Sequence, residues 1–191
     1  MRRIIVGITG ASGSIYGYML LRALRDSKDV ETHLVLSNQA MRTVELETDK
    51  SREDFESLAD AVHDDGDLAA PISSGSFITD GMAVLPCSTR SASAIAHSFN
   101  TNLLVRAADV CLKERRKVVL GVRETPLHLG HLRTLVELAE TGAIILPLVP
   151  AMYTKPKTIE DIVQQTVAKT LDLLGVSHDL AKRWSGPSTG S

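Results

Sequence analysis

The stretch RIIVGITGASGSIYGYMLLRALR, residues 3–25, decides the fold of this chain. Residues 3–9 are almost all apolar and rich in β-branched side chains, the pattern of a strand buried on both faces of a sheet. A turn with four glycines follows at 7–17, and residues 14–26 carry leucines spaced for one side of a helix. The stretch therefore predicts a strand, a tight turn and a helix, which is the first half of a βαβ unit.

The rest of the chain continues this alternation. Further strands are predicted at 31–37, 82–86, 117–122 and 142–146. Further helices are predicted at 38–46 with Asn38 as the N-cap, at 88–98, 101–116 and 128–140, and from Thr158 to Gly175, while 60–81 is polar and irregular. Strands that alternate with helices form a parallel sheet covered on both faces. We expect an α/β fold, a Rossmann-like (flavodoxin-like) doubly wound parallel sheet with helices on both faces, as a single domain at 1–191 with a loose tail at 183–191.

Composition excludes several functional classes. The chain has 191 residues, a formal net charge of −2 and two cysteines, Cys87 and Cys111. It lacks the basic field of a nucleic-acid-binding protein, and two cysteines make neither a disulfide framework nor a metal cluster. No run approaches the ~20 apolar residues of a transmembrane helix, and a glycine interrupts the first apolar run too early for a signal peptide. We expect a cytoplasmic protein that binds neither nucleic acid nor membrane.

Small and hydroxylated residues collect directly after the predicted strands, where parallel α/β sheets bind ligands. The first turn has glycines at 7, 10, 13 and 17, which is not the G-x-G-x-x-G spacing of a dinucleotide site, and it lacks the lysine of a P-loop. The turn suits one phosphate at a helix N-terminus or no ligand at all, and by itself it does not decide between them. The segment PCSTRSAS at 86–93 repeats a hydroxyl-rich helix start, and the pair favours a mononucleotide.

Several segments, in this order, resemble the flavin prenyltransferases, the UbiX-type proteins long described as aromatic-acid or 4-hydroxybenzoate decarboxylases. The segments are GITGASGSIYG, ELETD, ISSGSFITDGMAVLPCS, RAADVCLKERR, VRETPLHLGHL and PAMY. The resemblance runs from about residue 3 to residue 184. It implies a homododecamer that joins a dimethylallyl group from dimethylallyl phosphate to reduced FMN without a metal. The implied product, prenylated FMN, is the cofactor of a partner decarboxylase of the UbiD type.

The resemblance also implies the site residues. The flavin site is expected at Gly10, Ala11, Ser12, Ser37, Ser88, Thr89, Arg90, Ser91 and Arg123. The allyl phosphate is expected to bind Arg106, Lys113, Tyr153 and Lys169, and Ser12, Glu47 and Glu124 are the expected catalytic residues. The family commonly has an arginine where this chain has Lys169. Lysine keeps the charge but loses the planar fork that grips a phosphate at two points.

These residue types suit transfer of an allyl group from a phosphate. A departing phosphate needs preorganised cations, and Arg106 and Lys113 lie seven residues apart, on nearly one helix face. They could reach a common anion, with a neighbouring subunit completing the site. Glu124 offers a general acid or base, and Tyr153 a hydrogen bond to the phosphate. From the residues alone, an ion-pair ladder of Arg106, Asp109 and Lys113 explains the pattern equally well.

Three other residues have structural interpretations. His128 and His131 have helical i, i+3 spacing but lack a third ligand, so a zinc site is not expected. Cys87 has no paired base in the sequence and is expected to be a packed free thiol.

Two alternative functions fit the same fold. A flavin-dependent cysteine decarboxylase shares the glycine- and serine-rich loops, but its PxMNxxM segment and catalytic histidine are not apparent here. A non-catalytic FMN-binding accessory subunit of an aromatic-acid decarboxylase needs no allyl phosphate site, so the matching Glu47, Arg106, Lys113, Glu124 and Tyr153 argue against it. The lysine at 169 is the only feature that favours it.

Overall fold

The computed structural model describes residues 1–181. Their strands form one six-stranded, all-parallel sheet. The strands are β1 (Arg2–Ile8), β2 (Val30–Leu36), β3 (Ala61–Asp64), β4 (Gly81–Cys87), β5 (Lys117–Val122) and β6 (Ile144–Ile145). The helices are α1 (Ser14–Arg25), α2 (Asn38–Glu47), α3 (Arg52–Glu56), α4 (Thr89–Ala96), α5 (Leu103–Lys113), α6 (Leu129–Glu140) and α7 (Ile159–Leu174). Two single 3₁₀ turns lie at Pro71–Ser73 and Met152–Thr154.

Helices cover both faces of the sheet because the strands are apolar on both faces. In β1, Ile4, Val6 and Ile8 face a core shared with α1, α2, α3 and α7. Ile5 faces the opposite core, which is shared with α4, α5 and α6. The continuous apolar run that opened the sequence is therefore needed to fill both cores, and the expected fold class is confirmed.

The strand order β3-β2-β1-β4-β5-β6 reverses direction between β1 and β4. The chain first winds outward through β2 and β3, then returns to the centre and winds the other way through β5 and β6. At such a reversal the loops at the carboxyl ends of neighbouring strands part and leave a crevice. The fold thus places the polar residues after β1, β2 and β4 at one crevice.

Two expectations about local structure are wrong. Asn38 is the first residue of α2 rather than its N-cap, because the hydroxyl of Ser37 accepts the Ala40 amide hydrogen bond at 3.2 Å. The segment 60–81 is not wholly irregular, since β3 adds an edge strand that pairs His33 with Ala61 and Leu36 with Asp64.

Among residues 1–181 no helix is long and apolar enough to cross a membrane. The expectation of a loose tail at 183–191 concerns residues outside the described range.

Candidate functional site

A cleft of about 560 Å³ lies at the carboxyl edge of the sheet, across the reversal between β1 and β4. Its volume is within the range of about 300–1,000 Å³ that is usual for small-molecule sites. It is lined by Gly10, Ser37, Asn38, Gln39, Asp65, Gly66, Ser88, Arg90, Ser91, Thr101 and Asn102. Five residues of the predicted flavin site are in this set: Gly10, Ser37, Ser88, Arg90 and Ser91.

Gly10 is needed where the loop after β1 approaches α2. A Cβ atom at this position would lie 2.6 Å from the Cβ of Gln39, closer than packed carbon atoms allow. The Thr43 hydroxyl donates a hydrogen bond to the Gly10 carbonyl at 3.1 Å and holds the loop there. Ala11, the next predicted residue, is buried in the same turn.

Two helices present hydroxyl-capped N-termini at the cleft. Ser37 caps α2, and Ser88 caps α4 by accepting the Ser91 amide at 3.2 Å. The Ser88 hydroxyl also donates to the Ser91 hydroxyl at 3.1 Å. The first amides of a helix have no intrahelical acceptor, so both ends direct N–H groups and a positive dipole end toward a ligand. This pair suits a phosphate. It is not the pair that the sequence predicted, which was the glycine-rich turn before α1 together with the start of α4.

The N-terminus of α1 is different, because the carboxylate of Glu47 already covers it. Glu47 Oε2 accepts hydrogen bonds from the Gly13 amide at 2.9 Å and from the Ser14 amide and hydroxyl at 3.0 Å. Gly13, the N-cap, has a left-handed backbone with φ of 103°. Desolvation raises the Glu47 pKa, but the hydrogen bonds from Ser12, Gly13 and Ser14 outweigh it and hold the pKa below its usual range. Two of the predicted catalytic residues, Ser12 and Glu47, are thus in contact.

The N-terminus of α5 is also covered, by residues that the sequence reasoning missed. Asn102 is its N-cap and accepts the Val105 amide at 3.0 Å. The Asp65 carboxylate accepts the Leu104 amide and the Asn102 side-chain amide, both at 3.0 Å. Burial raises the Asp65 pKa above its usual range. Asn102 before an apolar helix was a readable N-cap signal, whereas nothing local marks Asp65, whose partners lie 37 and 39 residues away.

A second cavity, of about 390 Å³, opens between α4 and α6 beside the cleft. Thr89 and Arg90 line it from α4, Val122 from the end of β5 and Leu127 from the segment after that strand. Arg90 lines both cavities. Thr89 lines the second cavity and not the cleft, so this predicted flavin residue lies beside the cleft.

His128 and His131 also face the second cavity. His128 is the N-cap of α6 and stacks on His131, with ring centroids 3.6 Å apart. In the described part of the chain, no three histidine, cysteine or acidic side chains come together as metal ligands.

Arg123 and Glu124 directly follow β5, at the same edge of the sheet as the cleft. The Arg123 amide donates to the Cys87 carbonyl at 3.2 Å, which ties this segment to the end of β4. Both side chains are exposed. Glu124 accepts the Thr125 amide at 3.0 Å, a contact within its own segment.

Arg106 and Lys113 do not meet at the cleft of their own chain. Arg106 pairs with Asp109 at 3.2 Å and donates to the Ser73 carbonyl at 3.1 Å. Lys113 pairs with Glu114. Because α5 runs from the carboxyl edge back to the amino edge, where β5 begins, Lys113 ends up about 15 Å along the helix from the cleft.

Tyr153 and Lys169 lie outside the cleft lining as well. Tyr153 is in the second 3₁₀ turn and is 64% exposed. Lys169 is on an exposed position of α7. Cys87, at the end of β4, is fully buried, and burial raises its pKa to about 12, so the expected packed thiol is confirmed.

Comparison with known proteins gives strong matches over nearly the whole chain. A family model described as Flavoprotein matches residues 1–171. The chain is 56% identical over 188 residues to the flavin prenyltransferase UbiX of Escherichia coli (strain K12), covering 97% of this chain and 100% of that protein. The crystal structure of AnUbiX (PadA1) in complex with FMN and dimethylallyl pyrophosphate matches with a TM-score of 0.95 at 49% identity, covering 97% of this chain and 98% of that one.

A dodecameric FMN-dependent UbiX-like decarboxylase from Escherichia coli O157:H7 matches with a TM-score of 0.94 at 49% identity, covering 96% of this chain and 100% of that one. By contrast, the peptidyl-cysteine decarboxylase EpiD is 15% identical with a TM-score of 0.64, a likeness of fold alone.

Proposed function

The chain belongs to the flavin prenyltransferase family, and from that membership we propose how its residues join a dimethylallyl group from dimethylallyl phosphate to reduced FMN. The product is prenylated FMN, made for a UbiD-type decarboxylase. The observation that carries the proposal is the cleft itself, where two serine-capped helix N-termini meet at the sheet reversal. Neither alternative, the cysteine decarboxylase nor the accessory subunit, has comparable support.

The cleft residues fit FMN. The N-termini of α2 and α4, with Ser37 and Ser88, hold the phosphate, and Arg90 supplies a cation beside them. Gly10 and Ala11 give the loop after β1 the close backbone approach that a bound nucleotide needs. Ser12, Thr89, Ser91 and Arg123 complete the proposed flavin contacts.

Reduced FMN supplies the electron-rich ring atoms that form the new bonds to the allyl group. The protein's part is to bind the donor's phosphate, to stabilise its charge as it departs and to move protons. Cations that are held in place before the reaction stabilise the departing phosphate without a reorganisation cost. Lys169 supplies positive charge to the phosphate of the donor, and Tyr153 supplies a hydrogen bond.

Glu124 is the proposed general acid or base, with the departing phosphate as its proton partner. Its position directly after β5 brings it to the edge of the sheet where the cleft opens. Ser12 and Glu47 form the second catalytic pair. The hydrogen bonds that lower the pKa of Glu47 keep its carboxylate ionised, so it orients Ser12 rather than donating a proton itself at neutral pH.

Arg106 and Lys113 act, in this proposal, at the site of a neighbouring subunit. Lys113 is at the amino edge of its own sheet, whereas Glu124 is at the carboxyl edge. A heterologous contact between copies joins two different surfaces, and a homododecamer, the state of the structure from Escherichia coli O157:H7, would let one copy's amino edge meet another's carboxyl edge. We place the reaction in the cytoplasm.

Mass spectrometry of the flavin tests the activity directly. After anaerobic incubation with reduced FMN and dimethylallyl phosphate, the flavin is expected to be heavier by one five-carbon prenyl unit. FMN that stays bound but unchanged would refute the transferase and favour the accessory subunit.

Mixing two impaired variants tests the shared site. Lys113→Ala and Glu124→Gln are each expected to be strongly impaired alone, Glu124→Gln by about 100-fold. In randomly mixed oligomers, about a quarter of the sites would combine an intact Lys113 from one copy with an intact Glu124 from another. Recovered activity in co-expressed mixtures supports a shared site. No recovery in verified mixed oligomers would place both residues in one chain's site.

A further inference from the structure

The wall of the cleft formed by Asp65 and Asn102 has no part in the function proposed above. The main-chain carbonyl of Asp65 accepts the Leu103 amide at 2.7 Å. Its carboxylate oxygens accept the Leu104 amide and the Asn102 side chain, each at 3.0 Å. With Asn102 accepting the Val105 amide, this pair satisfies the whole first turn of α5. The wall is therefore held by four internal hydrogen bonds and contains one acidic side chain.

Asp65 has hydrogen-bonding capacity left after these contacts. An ionised carboxylate offers about four acceptor positions, and the two internal bonds use two of them. The side chain lines the cleft although the residue is only 7% exposed. Burial deprives the carboxylate of water and raises its pKa. A donor on a bound ligand would replace that lost hydration.

The two walls of the cleft thus prefer different parts of a mononucleotide. Ser37 and Ser88 lie at positive helix ends that attract a phosphate. Asp65 repels a phosphate and can only accept hydrogen bonds. In FMN, the hydrogen-bond donors attached next to the phosphate are the ribityl hydroxyls. We propose that Asp65 accepts a hydrogen bond from a ribityl hydroxyl and so fixes the orientation of the flavin in the cleft. This inference rests on the proposed function.

Riboflavin and lumiflavin separate this contact from general damage to the site. Both lack the phosphate, and only riboflavin has the ribityl chain. Their dissociation constants, measured by quenching of flavin fluorescence, give a ribityl preference for each protein. Asp65→Asn is expected to reduce that preference about tenfold, the effect of one hydrogen bond to a charged group. A merely structural role would weaken both flavins equally and leave the preference unchanged.

Exchanging the two side chains gives a matched control. In the double variant Asp65→Asn, Asn102→Asp, the new asparagine accepts from Leu104 and donates to the new aspartate, which accepts from Val105. Every internal hydrogen bond of the wall is retained, so the melting temperature is expected to match the wild type while the ribityl preference still falls.

An unchanged ribityl preference in both variants would overturn the role of Asp65. Wild-type protein that binds FMN separates this result from failure of the proposed function. Wild-type protein that binds no flavin would overturn both.

Discussion

Removing the charge of Glu47 tests whether its carboxylate stabilises the N-terminus of α1. In Glu47→Gln the amide oxygen can still accept from Gly13 or Ser14, but the ionised acceptor of two backbone amides and the Ser14 hydroxyl is lost. A carboxylate at a helix N-terminus contributes about 0.3–1 kcal/mol at an exposed position. Glu47 is exposed, so we expect a loss of about 1 kcal/mol, or about 2–4 °C in melting temperature.

The direction of the Glu47 pKa shift determines how this stabilisation changes with pH. The folded pKa of Glu47 is lowered from the ordinary value of 4.5. The stabilisation is therefore fully present above that ordinary value and is lost as the pH falls through the lower folded pKa. Wild type and Glu47→Gln should differ at neutral pH and converge in acid.

Thermal melts at fixed protein concentration over a pH series measure both effects. Glu45→Gln is the matched control, since Glu45 is exposed on the same helix and the described residues include no hydrogen bond or ion pair to it. If Glu47→Gln and Glu45→Gln melted alike at neutral pH, or if the difference persisted unchanged in acid, the carboxylate would not be holding the helix end.

Three further predictions concern the reaction and the core. Glu124→Gln should keep its FMN affinity in fluorescence titrations while prenylated FMN, followed by mass spectrometry, forms about 100-fold more slowly; a normal rate would remove Glu124 from the chemistry. Lys169→Arg should lower the KM for dimethylallyl phosphate a few-fold, about the gain from a second phosphate hydrogen bond, with kcat unchanged; an unchanged KM would mean that this side chain does not contact the phosphate. Cys87, fully buried with its pKa raised to about 12, should resist iodoacetamide near neutral pH until urea unfolds the protein, as intact mass would show; labelling of the folded protein would contradict the packing.

The central part of the fold could be predicted because its strands are buried on both faces. The run that forms β1 is apolar on both sides and rich in β-branched residues, which is the pattern of a strand in the middle of a parallel sheet. The edge strand β3 has the opposite character. Its sequence AVHD alternates partly buried and exposed positions over four residues, which is too short and polar to distinguish from a loop. The predicted N-cap of α2 is wrong by one residue. Ser37 and Asn38 are both good N-caps, and only the backbone conformation decides between them.

The candidate site also has a part that the sequence could predict and a part that it could not. Gly10, Ser37 and Ser88 could be predicted to converge, because each follows a strand of one parallel sheet and all carboxyl ends share an edge. Asp65 could not, because its role depends on the distance across the fold to α5. The distance between Lys113 and the cleft could not be predicted either, because it depends on the fold. Spacing of seven residues places two side chains on one helix face, but it does not say which edge of the sheet each end of that helix reaches.

The glycine-rich turn at 7–17 shows why a motif at a helix N-terminus does not by itself define a ligand site. A parallel α/β sheet directs the positive ends of its helices to one edge, so any of them can attract an anion. In this chain a carboxylate 33 or 34 residues away in sequence, Glu47, takes the end of α1. Asp65 takes the end of α5 in the same way. Of the helices α1, α2, α4 and α5, this leaves α2 and α4 for a phosphate, since their caps are neutral hydroxyls. In the function proposed above, the acidic residues, more than the glycines, therefore select where the mononucleotide binds.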